Sequence, residues 1–305
     1  MKANRTEKFL TATGSDGKEY RMPVGIITGP KAGPQITIYG GHHGTEYAGI
    51  EAVLKLFRTL DAEEVAGRIV MSLVANEQAF RGWKQFASAP KEIMDMKREL
   101  AQGSQYLIDC HGGELTEGMC PYVICRLLGV EELDEKAKAI ARAFGTPYVS
   151  FSQYRGEPPT DPSGGRPPWW LWPSKSVGDE LQIPSITPEV GQQGSRDEDG
   201  AMYNGLINVL KQVGVIPGSP SPAAGPQKAI GDRYWLTAES EGVFFPEVRI
   251  CQDVAKGERL GLVRDYFGNV LQEVTAPADT KVMNMNVGMP VKEDGFLLWL
   301  GEIEL

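Results

Sequence analysis

The sequence holds only three histidines, His42, His43 and His111, and only four cysteines in 305 residues. No two cysteines stand in a CxxC spacing, which argues against a cysteine-rich metal fold or a dense disulfide scaffold. Cys110, Cys120, Cys125 and Cys251 are therefore expected as reduced, mostly buried thiols. Positive charge is also in short supply: 31 lysines and arginines stand against 40 aspartates and glutamates, a net charge of -9. Such a surface repels nucleic acid and anionic lipid, so neither is expected as a partner. No run approaches the roughly 18 apolar residues of a membrane span. The opening stretch MKANRTEKFLTATGSDGKEY also lacks the apolar core of a leader peptide. A cytoplasmic location is the resulting expectation. P-loop, GxGxxG and GxSxG motifs are missing too, which removes the usual nucleotide-binding and serine-hydrolase readings.

What remains is an ordinary globular composition, 41% hydrophobic and 23% charged, in a chain too long for one typical core. Residues 36–41, 68–76, 104–113, 147–151 and 183–191 read as strands. Residues 48–60, 131–145 and 199–214 carry apolar side chains at helical spacing. Strands alternating with helices predict an α/β fold, with a mixed, mostly parallel sheet flanked by helices. The pattern changes after PGSPSPAAGPQ (217–227), a proline- and glycine-rich stretch of linker composition. Beyond it short β-rich segments recur between turns, as in EGVFFPEVRI and TKVMNMNV. Two domains are expected: a catalytic domain over 1–225 and a smaller all-β barrel or sandwich over 226–305.

The histidines lie where strands run into glycines. GGHHGTE offers His43 and Glu46 three residues apart at the mouth of a helix, where an imidazole and a carboxylate can converge on one ion. His42 and Glu46 are also compatible with helical spacing. IDCHGGE sets His111 just past the carboxyl end of another strand, the edge at which α/β sheets bind ligands. Two nitrogens and one oxygen leave a fourth tetrahedral position open. Zinc fits that donor set best, and such a site lowers the pKa of bound water to about 7. Asp109 is a candidate outer partner for an imidazole, or simply a strand-end carboxylate. In TPEVG, Glu189 ends a strand amid Ile183, Ile186 and Val190. It is either a buried structural anion or a catalytic one, with burial raising its pKa toward a range useful for proton transfer.

The ordered series GGHHGTE, a segment beginning at Asn76, DMKR, DCHGG and TPEVG resembles the succinylglutamate desuccinylase/aspartoacylase family of zinc carboxypeptidase-like enzymes. The C-terminal β segment resembles the extra domain of bacterial members. The resemblance implies one zinc ion per chain on His43, Glu46 and His111, with Glu189 as general base and later acid. It also implies a small N-acyl amino acid, or a related carboxylate, as the substrate whose amide bond is hydrolysed. Where the family has an Asn-Arg pair clasping the substrate carboxylate, this chain reads Lys97-Arg98. The arginine that polarises the scissile carbonyl has no exact counterpart. Gln85 falls at about its spacing, with Lys84 beside it, and Arg81 is the favoured substitute.

Residues 154–176 form a segment rich in proline and tryptophan, in which Trp169, Trp170 and Trp172 are candidate pocket walls. There Arg155 or Arg166 is a candidate contact for a substrate anion, Arg166 being the preferred one. A homo-oligomer is a further expectation. Two rival readings stay open: a metallocarboxypeptidase acting on short peptides, and a non-catalytic homologue that binds metal or ligand.

Overall fold

The computed structural model describes residues 2–15, 17–85, 89–153, 177–221 and 225–304. The chain opens with a hairpin, β1 (Asn4–Thr13) and β2 (Glu19–Thr28), followed by β3 (Lys31–Gly40), α1 (Tyr47–Thr59) and β4 (Ala66–Ser72). Two helices, α2 (Glu77–Arg81) and α3 (Lys91–Ala101), lead to β5 (Tyr106–Cys110), β6 (Glu117–Met119) and β7 (Tyr122–Leu127). Next come α4 (Glu131–Phe144), β8 (Tyr148–Gln153), α5 (Val177–Leu181), β9 (Ser185–Glu189) and α6 (Ala201–Gln212). Beyond residue 225 the described residues form strands only: β10 (Lys228–Thr237), β11 (Gly242–Pro246), β12 (Asp253–Val254) and β13 (Arg259–Arg264), then β14 (Val270–Thr275), β15 (Thr280–Asn286), β16 (Pro290–Val291) and β17 (Phe296–Ile303).

A 13-stranded sheet runs β1-β2-β4-β3-β5-β9-β7-β8-β10-β17-β15-β12, with β6 added to β15. Its centre is parallel, with β4, β3, β5 and β9 side by side, and its two ends are antiparallel. The expected mixed α/β fold is therefore present. Parallel pairing falls into two runs, β4-β3-β5-β9 and β7-β8-β10, joined by the antiparallel β9-β7 pair. Strand alternation sends Ile36 and Ile38 into one layer, shared with Val53, Leu56 and Phe57 of α1 and with buried residues of α4 and α6. Tyr39 points into the opposite layer, with Ile93, Met96 and Leu100 of α3. Full burial of each large apolar side chain contributes roughly 1.5–3 kcal/mol, and both faces of the sheet are covered in this way.

Strand β10 pairs in parallel with β8 and antiparallel with β17, so hydrogen bonding carries the large sheet past the proline-rich stretch. The proposed division at residue 225 thus marks a change in element type while the sheet crosses it. A second, four-stranded sheet, β14-β13-β11-β16, lies wholly in the C-terminal part. The two parts also meet through aromatic rings: Trp299, itself stacked on Trp235 of β10 at 5.1 Å, packs on Tyr122 of β7 at 4.9 Å.

The cysteine expectation needs correction. Cys110 and Cys125 are buried free thiols, but Cys120 and Cys251 form a disulfide across 131 residues of sequence. Strand β15 is the reason. Cys120 N donates to Met283 O at 2.8 Å and Cys251 N donates to Val282 O at 2.9 Å, so one strand holds both cysteines at adjacent positions.

Candidate metal centre

Three neighbouring parallel strands end at the same edge of the sheet. β3 delivers His42, His43 and Glu46, β5 delivers His111, and β9 ends in Glu189. The glycines around them let backbones approach closely. A Cβ on Gly44 would lie 2.3 Å from the α2 backbone at Ala79, and one on Gly112 would lie 2.3 Å from Val190 O. Asn76 fastens the floor of the site: its N–H donates to Gly41 O at 2.8 Å, and its side chain accepts from Ala79 N at the start of α2.

Glu46 occupies the N-cap position of α1, yet its carboxylate does not cap the helix. It turns instead toward two imidazoles, with Oε1 at 2.6 Å from His43 Nδ1 and Oε2 at 3.1 Å from His111 Nδ1. Ligand atoms of His43, Glu46 and His111 all lie within 4.8 Å of one another. Glu46 Oε2 is buried and makes no hydrogen bond of proper geometry, which is the state expected of an atom reserved for a cation. Burial works against the Glu46 charge, but the two imidazoles outweigh it and hold the carboxyl down at about 2. For His111 burial again opposes the charge, while Glu46 and Asp109 raise its pKa well above the usual histidine value. Carboxylates here call for positive charge, and a divalent ion would supply it in place of protons. The donor set fits a metal of the zinc type.

The alternative ligand, His42, is spoken for. Its Nδ1 accepts from Lys97 Nζ at 3.0 Å, so its proton resides on Nε2 and neither nitrogen offers a free lone pair. Burial and the Lys97 ammonium keep its pKa well below the ordinary value.

Glu189 lies one strand from His111 and joins it in an isolated parallel bridge. Its side chain is partly buried, and Tyr122 is its cross-strand partner on β7. Burial, aided by Glu46 and Glu117, pushes its pKa well above the carboxylate range, with His111 pulling the other way. Two further acids escaped the sequence reading, although both lie in the HGGELTE run. Glu114 is buried with Oε1 at 4.0 Å from His43 Nδ1. Glu117 is buried and accepts from Glu114 N and from Asn284 Nδ2 of β15. Burial lifts Glu117 to about 7.

The cations expected to meet substrate have three different surroundings. Lys97 is 1% exposed and faces Asp109 and His42. Arg98 pairs with Asp95 at 2.7 Å and Glu180 at 2.6 Å, and its side chain remains 35% exposed. Arg81 ends α2 with its side chain 69% exposed, 3.6 Å from Glu77, in a groove shared with Glu19, Arg21 and Lys84. Gln85 accepts from both the N–H and the hydroxyl of Thr116, tying the chain after α2 to the segment before β6. Arg155, Arg166 and the tryptophans of 154–176 lie outside the described residues.

A family model for the succinylglutamate desuccinylase/aspartoacylase catalytic domain matches residues 32–98, which include His43, Glu46, Lys97 and Arg98. The whole chain superposes on a succinylglutamate desuccinylase structure from Silicibacter sp. TM1040 with a TM-score of 0.82. That alignment has 21% identity and covers 99% of this chain and 95% of the other. The resemblance to that family holds. The product-bound ectoine utilization protein EutE (DoeB) from Ruegeria pomeroyi has the same fold, with a TM-score of 0.82, 22% identity and coverage of 98% and 95% of the two chains. In sequence, the chain is 31% identical over 146 residues to the N-alpha-acetyl-L-2,4-diaminobutyric acid deacetylase of Halomonas elongata. The matched part spans 42% of this chain and 42% of that relative. Among the described residues no helix is long and apolar enough to cross a membrane.

Proposed function

We propose that this protein hydrolyses the amide bond of a small N-acyl amino acid, using one zinc ion held by His43, Glu46 and His111. The observation that carries the reading is the convergence of these three side chains at the strand edge where Glu189 ends. When bound, the ion supplies Lewis acidity toward a carbonyl oxygen and lowers the pKa of a coordinated water to about 7.

The chain's own residues do the rest. Glu189 takes a proton from the attacking water and returns it to the departing amine nitrogen, so amide and water become carboxylate and amine. Its partly buried place among Glu46 and Glu117 supports this role, because a raised pKa suits a group that must both accept and release a proton near neutrality. Tyr122, Glu114 and Glu117 wall the same edge and help keep bulk water away from it. Arg98, partly exposed on α3, is the proposed contact for the substrate carboxylate.

A deacetylase for an acetylated diamino acid among the relatives supports an acylated amino acid as the substrate class. The test is a panel of N-acetyl and N-succinyl amino acids and short peptides, assayed with zinc-loaded and chelator-treated protein. Zinc-dependent release of a free amine from acyl-amino acids, and not from peptides, is the expected result. Turnover that survives complete removal of metal would refute the proposal.

A further inference from the structure

We propose that Lys97 is a positioning residue of the metal site, acting through Asp109 on His111, and not a contact for the substrate. The inference rests on the metal-site reading above and deepens it.

Position 97 belongs to the core face of α3, in line with Ile93, Met96 and Leu100, where an apolar side chain would normally sit. The ammonium group has three donors, and three neighbours receive it. Asp109 Oδ2 is 2.7 Å away, His42 Nδ1 is 3.0 Å away, and the Tyr39 ring centroid is 4.4 Å away. The helix is pinned there as well, because Tyr39 OH donates to Lys97 O at 2.5 Å. A lysine so engaged has no donor to offer a carboxylate from outside.

Asp109 is the link to the metal site. Its Oδ2 is taken by Lys97, while its Oδ1, buried and without a hydrogen bond, faces His111 Nε2 at 3.6 Å. His111 turns its other nitrogen, Nδ1, toward Glu46. An imidazole that directs its Nε2–H at a carboxylate presents the Nδ1 lone pair to an ion, and the carboxylate fixes both tautomer and ring orientation. Without Lys97, no hydrogen bond to either carboxylate oxygen would hold Asp109 in this orientation. Lys97 holds one oxygen and thereby aims the other at His111. The same ammonium occupies His42 Nδ1, which withdraws the neighbouring imidazole from competition for the ion.

The experiment measures zinc affinity by chelator competition, together with KM and kcat at saturating zinc. It uses the wild type, Lys97→Met, Asp109→Asn and the double variant, each checked by thermal melting. Removing an outer partner of a ligating histidine typically weakens metal binding about 10- to 100-fold, and Lys97→Met should fall in that range with KM nearly unchanged. The double variant should bind zinc no more weakly than Asp109→Asn alone. Should Lys97→Met fail to fold, the double variant, which removes both buried charges, carries the comparison against Asp109→Asn. Unchanged zinc affinity with a KM raised tenfold or more would overturn the inference, as would a double variant far weaker than Asp109→Asn. Failure of the wild type to bind zinc would instead defeat the metal-site reading itself.

Discussion

His111 and Glu189 sit side by side on adjacent parallel strands: His111 N donates to Pro188 O at 2.9 Å, and Val190 N donates to His111 O at 3.1 Å. The candidate ligand and the candidate base are thus fixed to each other by main-chain hydrogen bonds, which side-chain substitution leaves intact. Glu189→Gln should therefore keep its metal and lose its chemistry. General-base removal costs about 10²- to 10⁴-fold, and kcat should fall by that amount while zinc content by elemental analysis stays the same. Wild-type turnover in Glu189→Gln would remove Glu189 from the mechanism.

His111→Ala deletes a ligand rather than a base, and its signature is different. Zinc stoichiometry should drop from one per chain to a small fraction after dialysis, and activity should fall with it. The fold should survive, because the β5–β9 pairing at Leu107–Ser185 and Ile108–Ile186 does not involve the imidazole. Circular dichroism and metal analysis on one sample check both statements. Full retention of tightly bound zinc would show that the ion lies elsewhere.

Much of this site was legible in the sequence, for identifiable reasons. His43 and Glu46 stand at a strand-to-helix junction, and the glycine pairs preceding His42–His43 and following His111 announce tight turns. The burial of Lys97 is legible in its helix rather than in the Lys97-Arg98 motif. The spacing of Ile93, Met96, Lys97 and Leu100 puts the lysine on the buried face, and that signal was available. The β1–β2 hairpin went unnoticed because β1 is exposed along most of its length and carries no apolar run. The disulfide could not be read at all: nothing local marks Cys120 and Cys251, and only the pairing of both segments with β15 brings them together.

That disulfide closes a loop of 131 residues between the α/β body and the C-terminal strands. Loops of this size give about 2–5 kcal/mol of stabilisation, chiefly by restricting the unfolded chain. Cys251→Ser should accordingly lower Tm by several degrees, and adding a reductant to the wild type should reproduce the shift. A reductant that moves the wild type but not Cys251→Ser would assign the effect to this bond. No shift in either would show the bond to be absent or without consequence in solution.

Arg81 makes a sharper test of the open question about the polarising cation. Its side chain is 69% exposed and shares a groove with Glu77, and an exposed ion pair of this kind is worth at most about 1 kcal/mol. Arg81→Ala should leave stability nearly unchanged and lower kcat/KM less than tenfold. A loss of a hundredfold or more in kcat would restore it as the group that stabilises negative charge on the carbonyl oxygen.

Glu117 gives the site a pH signature in the metal-free protein. Burial holds its folded-state pKa at about 7, against 4.5 for an ordinary glutamate, so the native protein keeps this proton more tightly than the unfolded chain does. The sign follows directly: the contribution is complete below about pH 4.5 and is lost as pH rises through about 7. At one pKa unit per 1.36 kcal/mol, the loss is on the order of 3 kcal/mol by pH 8.5. Urea unfolding of metal-free protein between pH 5 and 8.5 should show this decline, and Glu117→Gln, which cannot ionise, should flatten it. Because the Glu46 charge is one cause of the raised pKa, a cation bound at Glu46 should move the Glu117 midpoint downward. Carbon NMR of the Glu117 carboxyl with and without zinc reads that shift directly. An identical midpoint in both states would mean that Glu117 does not sense the site, and that burial alone holds its proton.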